Sequence, residues 1–478
     1  MATRTLGLLL LMGLPACSSS GSGGSPTSQN DNGGPDNPFA TDQTRLCRGI
    51  ALPDDQAFVA DGLCVRAVAL EQGSLRQLTF SAAGDLIGVT SQGAIVRYRD
   101  VNEDGIFSGN AEIKTIAHTG GKNGSNAVFD ADETYLYSGS PAGVVRFRYS
   151  ASDNLGAAEA VVVGEPSTGT HQLHTVKIYD GFLYVHSGSE MNAAEPAAPS
   201  YDTERAVLKR FPLADFRGKP FEWSDGELFY AGIRNMVGFT QNPSDAALYG
   251  VVNGLDDLVY RDVDIHLDNP GEDLIRLDQG KAHGYPYCFT AAELEVGGSM
   301  MTAGRQLAGA VKTLEGDPDF VNPHDDAWCS EHSAEPLTFM AAHSAPLDIT
   351  FVSGATALPA EWEGSALVAL HGSWDTTPSV GHQVVRVPFA SDGTTTMPKA
   401  DASGMTFYHD VIFGGVGSDG AWGWASGSDG EYPVRPTGLA ISPVDGALYV
   451  SSDNASTYMG APAPNQGAIY RIAKRDAP

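Results

Sequence analysis

The chain has 478 residues, 58 acidic against 29 basic, for a formal net charge of −29. Such a surface repels phosphate backbones and gives no hold on anionic lipid headgroups, which sets nucleic acid and the membrane surface aside as partners. Only 18% of residues are charged, and 56 glycines with 28 prolines favour a turn-rich β architecture, as one large domain or two to three ordinary ones.

The first element is a leader. "MATRTLGLLLLMGLPAC" carries an apolar run from Leu6 to Leu14, too short to span a bilayer, and reads as a cleaved signal. Leu14-Pro15-Ala16-Cys17 resembles the lipobox of bacterial lipoproteins, whose cysteine becomes the lipidated N-terminus. That resemblance implies a lipid-anchored protein of the outer membrane, periplasm or cell surface. An ordinary signal peptide with an incidental Cys17 is the alternative. Residues 18–44 form a polar tether with nothing to bury, which leaves 45–478 for the folded domain. In an oxidising compartment the four remaining cysteines pair by proximity as Cys47–Cys64 and Cys288–Cys329. No CxxC or Cys/His zinc spacing occurs.

Next comes a repeated grammar of apolar strand, tight turn, second strand, loop and third strand. It runs over 76–100, 126–150, 174–189 with 206–213, and 236–254 with 273–277. Two further copies run over 346–374 with 382–389, and 436–454 with 467–472. Six copies without a convincing amphipathic helix describe an all-β fold, a six-bladed β-propeller, with a pair of β-sandwiches as the alternative. The segments 278–345 and 390–433 are expected as long loops on a face, the first carrying Cys288–Cys329.

Propellers gather function in the loops at one end of the channel. Those loops offer His171 and His174 in "GTHQLH", Arg234-Asn235, "VVNGLDDL", "ALHGSWD" and Arg435 in "YPVRPTG". The residues alone leave the two histidines open as zinc ligands, a base with a neighbour, or ordinary loop side chains. "DVNEDG" places Asp100, Asn102 and Asp104 at alternate positions before a Gly turn, as a surface calcium loop or an acidic hairpin turn. Ala111 at the twelfth position excludes an EF-hand.

The segments "GIRNMVGF", "GEDLIRLDQGKAHGYPYCF", "HSAPLDITF", "EGSALVALHGSW", "GHQVVRVPF" and "RPTGLAISPVDGALYVSSD" stand in one order along the chain. In that order they resemble the sorbosone and glucose dehydrogenase family, six-bladed propellers that bind pyrroloquinoline quinone (PQQ) with calcium. The resemblance covers about residues 50–475 and implies oxidation of aldoses or related sugar aldehydes and alcohols. It places Arg234 and Asn235 on the quinone, with Arg435 as a second cation and His371 facing the cofactor. It places calcium on backbone carbonyls near Asn253, Gly254 and Leu255, with charge added by Asp256 and Asp257. His171 falls in the role of general base, a task suited to a group that titrates near ~6.5. His174 becomes a pocket neighbour; His343 faces the pocket or is a satisfied loop histidine, and Trp374 is a surface for stacking or plain core of blade five. Departures from the family pattern are "AHGYP" for "NYGWP", "GSWDT" for "GSWNR", and Leu255 where an arginine is expected. Nothing matches the CxxCH haem motif, so the electron acceptor is expected to be external. Two other classes stand beside this reading: a calcium-dependent propeller lactonase or hydrolase, and a non-catalytic surface propeller without cofactor.

Overall fold

The strand Ala366–Leu370, "ALVAL", is buried at every position. A strand with one wet face would alternate, so an unbroken apolar run means that both faces are covered. Leu448–Ser452 is buried throughout in the same way. These are second strands of twisted antiparallel sheets packed face to face. The computed structural model describes residues 47–51, 57–122, 124–193, 201–292, 294–296, 299–300, 303–312, 320–373, 376, 380–390, 399–400, 406–407, 410–415, 434–453 and 467–475. Cys17, the tether and Trp374 lie outside them.

Six sheets of this kind carry the six repeats. Their first strands are Leu75–Phe80, Ala127–Phe129, Val176–Tyr179, Asn235–Gln241, Pro346–Phe351 and Pro436–Ile441. Each packs on the next, and the sixth packs back on the first. The ring is a six-bladed β-propeller. Its last blade is completed from the other end of the chain. Leu63–Leu70 pairs antiparallel with Ala468–Lys474, Cys64 opposite Ala473. The disulfide Cys47–Cys64 ties this closing strand, and a loop of 17 residues is worth about 3 kcal/mol through the unfolded state.

Between blades the filling is aromatic and aliphatic. Tyr249 of blade four meets Phe351 and Phe389 of blade five at centroid distances of 5.4 and 5.6 Å. Burying rings of this size contributes about 2–3 kcal/mol each. At the axis the joint is polar. Gln77 of blade one donates to the Val237 carbonyl of blade four, and to the Leu347 carbonyl and Asp348 carboxylate of blade five. Asp348 accepts the Leu439 amide of blade six, and Thr175 of blade three donates to Val237. Five blades are stitched through side chains that fill the axis. Burial pushes the Asp348 carboxyl up to about 6.

The two long insertions are not simple surface loops. The first sends Lys281–Ala282 parallel to the outer strand of blade three. It then builds a small module around Cys288–Cys329, with the helix Asp326–His332, before Thr338–Met340 completes blade four. The second supplies Asp410–Gly415, the fourth strand of blade five. Both outer strands were hidden because they follow their partners after long gaps in sequence.

Candidate active site

Each blade's first strand leaves one end of the ring and its second strand returns there. The residues just before first strands and just after second strands therefore share one rim. His171, His174, Arg234, His343 and Arg435 precede first strands, and Ser189, Gly254, His371 and Asp453 follow second strands. The Asp100 loop joins the third and fourth strands of blade one, so it lies at the opposite end.

His171 is half-buried where its segment zips against the end of the neighbouring strand, with Thr170 N donating to Glu190 O and His171 N to Ser189 O. Gly188 is required there, since an added Cβ would stand 2.7 Å from the His171 Cβ. The ring's Nδ1 lies 2.7 Å from Ser189 Oγ, and Nε2 has no protein partner among the described residues. Burial first, then the charges of Arg234 and His186, hold His171 well below its ordinary value and keep it neutral.

Arg234 is buried, with Nε on the Asn192 carbonyl at 3.2 Å and Nη2 on Asn192 Oδ1 and Asp256 Oδ2, each at 2.9 Å. Its Nη1 has no protein partner among the described residues, and neither has the side-chain amide of the adjoining Asn235. Asp256, expected near calcium, is thus the counter-ion of Arg234 through one oxygen. Arg234 also lines a cleft with Asn253, Gly254, Leu255, Asp273 and Tyr285.

Gly254 passes so close to Pro270 that a Cβ would sit 2.3 Å from its ring. The Gly254 amide donates to Glu272 at 2.8 Å, and burial pushes that carboxyl up to about 8. The carbonyl oxygens of Gly254 and Leu255 accept no hydrogen bond among the described residues, which suits a hard cation. The Leu255 side chain is buried in the apolar module, so an arginine's contact has no substitute there.

On the far side of the rim, Arg435 donates through Nε to the His371 carbonyl, and through Nη2 to the Gly372 carbonyl and His371 Nδ1. An arginine only donates, so His371 Nδ1 accepts and its Nε2–H points at Asp453, 3.0 Å away. Both ring nitrogens of His371 are engaged within the protein, against the expectation that they face the cofactor. Burial and then Arg435 lower His371, although Asp453 pulls the other way. Asp453 is held well below the usual carboxylate range, since His371, Arg76 and Arg435 outweigh its burial.

His174 is not a pocket neighbour. It is fully buried, with Nδ1 2.5 Å from Glu165 and 3.0 Å from the Ser140 carbonyl. Burial would lower it, but the Glu165 charge prevails and it is raised. His343 is buried with Nε2 on the His266 carbonyl. The zinc reading of His171 and His174 finds no support: among the described residues no three His, Cys, Asp or Glu side chains are placed to hold a metal. In the Asp100 loop the carboxylates accept the Asp104, Gly105 and Ile106 amides, and the Asn102 amide donates to Asp104. Arg48 adds a cation 3.9 Å from Asp100, so this loop answers most of its own oxygens.

A family model described as TrAA12-like matches residues 57–459. The chain belongs to the TrAA12-like family. A pyrroloquinoline quinone-dependent sugar dehydrogenase of Hypocrea jecorina (strain QM6a) is 27% identical over 71% of this chain and 76% of its own length. A pyrroloquinoline quinone-dependent pyranose dehydrogenase of Coprinopsis cinerea is 29% identical over 60% of this chain, which spans 38% of that protein. The holo PQQ domain of the C. cinerea pyranose dehydrogenase has a TM-score of 0.71 at 24% identity, covering 90% of this chain and 99% of that one. A calcium structure of a Trichoderma reesei family AA12 enzyme gives 0.68 at 23%, covering 89% and 99%. These likenesses bear on the fold. They agree with the fold that the ordered motifs implied. Ser189, Asn192 and Asp453 went unremarked in the sequence. Their only signal is their position, just after a second strand.

Proposed function

We propose that this TrAA12-like protein is a sugar dehydrogenase that binds PQQ with calcium and oxidises aldoses or related sugar aldehydes and alcohols. One observation carries the reading: on a single rim, His171 Nε2, Arg234 Nη1 and the Asn235 amide have no protein partner among the described residues. A tricarboxylate quinone calls for cations and oriented donors, and Arg234 with Asn235 supplies both. The Gly254 and Leu255 carbonyl oxygens would hold the calcium. When bound, PQQ supplies a two-electron acceptor and calcium polarises it as a Lewis acid.

The chain's own residues do the rest. His171 takes the proton of the sugar hydroxyl on Nε2, a role open to it because burial and Arg234 keep the imidazole neutral. Arg234 Nη1 donates to an oxygen that gains negative charge, and its remaining donors are held by Asn192 and Asp256 so that no reorientation is needed. Asp256 offsets the arginine's charge. An external acceptor, a protein or a diffusible carrier, removes the electrons. The lipobox-like Leu14–Cys17 supports attachment to a bacterial membrane through lipid alone, with the propeller outside the cytoplasm. No helix among the described residues is long and apolar enough to cross a membrane.

The test uses protein stripped with chelator and titrated with PQQ, with and without calcium, followed by dye reduction over a panel of aldoses. Saturable binding with sugar-dependent turnover that needs both additions is expected. Absence of binding at micromolar PQQ would overturn the assignment.

A further inference from the structure

The strand end that carries Ser189 does more than pass beside His171. Ser189 Oγ lies 2.7 Å from His171 Nδ1 and 2.9 Å from the carbonyl oxygen of Met191. A carbonyl oxygen only accepts, and a serine hydroxyl has one proton. Both contacts are satisfied together in one arrangement: Ser189 gives its proton to Met191 and accepts one from His171 Nδ1. The same Met191 carbonyl accepts the Tyr285 hydroxyl at 2.9 Å, which ties the relay to the disulfide module. Ser189 N donates to the Arg234 carbonyl at 2.8 Å, so backbone and side chain of one residue reach both members of the site. Ser189 is itself buried, 1% exposed, so water does not compete for its hydroxyl.

We propose that Ser189 is a positioning residue: its hydroxyl holds His171 as the Nδ1–H tautomer and so presents an unprotonated Nε2 to the sugar hydroxyl. The inference rests on His171 being the base. An imidazole with the other tautomer would aim an N–H at the proton it has to remove, and catalysis would stop at that collision. A hydroxyl fixes the tautomer without stabilising the imidazolium, as a carboxylate in its place would. That agrees with the neutral state that burial and Arg234 already favour.

The first readout needs no cofactor. Long-range proton–nitrogen spectra of the histidine-labelled protein, with His171 assigned by its loss in His171→Ala, should show Nδ1 protonated and Nε2 bare. Ser189→Ala should give a mixture of tautomers, and Ser189→Thr should keep the wild-type pattern. In the PQQ- and calcium-loaded enzyme, Ser189→Ala should lower kcat roughly ten- to a hundredfold with KM unchanged. Ser189→Thr should restore most of that loss. Ser189→Asp sets a carboxylate beside His171 and should move the acid limb of kcat/KM to higher pH. An Nε2–H tautomer in the wild type overturns the proposal. So does a Ser189→Ala variant with unchanged spectrum and kcat while His171→Ala is inactive. Wild-type kcat in His171→Ala overturns the base itself, and the positioning role with it.

Discussion

Arg234 and Arg435 occupy the same place in two blades, one residue before a first strand that bulges at its start. Their surroundings differ. Asp256 and Asn192 hold Arg234 by Nε and Nη2 and leave Nη1 without a protein partner among the described residues. Arg435 is turned into a strut: it donates to two carbonyls and to His371, which is braced in turn by Asp453. Equivalent positions in a repeat thus carry different work, because the loops after the second strands differ. One loop brings acceptors for part of the fork, the other a histidine that takes the rest of its reach.

The comparison can be broken at its strongest point first. His171, on the Arg234 side, should be indispensable: His171→Ala is expected to lower kcat roughly 10²–10⁴-fold while PQQ binding, followed by quinone absorbance, persists. A loss of less than tenfold would remove the base from that side of the rim.

Next come the arginines themselves. Arg234→Lys replaces a fork by a point charge and should weaken PQQ binding roughly a hundredfold, besides costing about 2 kcal/mol through the hydrogen bonds lost to Asn192 and Asp256. Arg435→Lys should cost a similar ~2 kcal/mol in denaturant unfolding through lost hydrogen bonds, with a much smaller effect on PQQ affinity. Equal binding losses in the two variants would make both arginines cofactor ligands and dissolve the distinction.

Asp453→Asn probes the strut alone. The carboxyl is depressed in the folded protein, so its stabilisation is present above the unfolded value near ~3.9 and is lost as pH falls through the folded one. The variant should be less stable than wild type at pH 7, by about 1–2 kcal/mol, and the two should converge in strong acid. Parallel stability curves down to pH 2 would show that the charge of Asp453 contributes nothing.

The smallest effect is a shift in pH. His171 must be neutral to act, and its lowered value keeps it so in acid; the acid limb of kcat/KM should therefore lie below the ordinary ~6.5. Arg234→Gln removes the nearest positive charge and should move that limb upward, whereas Arg435→Gln should leave it in place. A wild-type limb at or above ~6.5 would contradict the half-buried, neutral base.

The repeats and the disulfide pairing were legible because they are local: turn spacing, apolar runs and proximity along the chain carry them. Other features were not local. The closing strand Leu63–Leu70 pairs with residues about four hundred positions away, and the outer strands of blades four and five return after long insertions, so no periodicity marks them. His174 shows the same limit within three residues of His171. One histidine zips against a strand end at the rim, and the other is swallowed beside Glu165, because burial depends on the neighbouring blade. His371 looked like a cofactor contact until Arg435 and Asp453 were seen on its two nitrogens.

By itself, then, the sequence determined the architecture and the chemical inventory, since β-grammar and residue type are properties of short stretches. Tertiary structure decided which members of that inventory keep an unpartnered atom at the rim. That depends on which hydrogen-bond partners fold back onto each side chain, and Ser189, Asn192 and Asp453 arrive from loops whose positions only the closed ring defines.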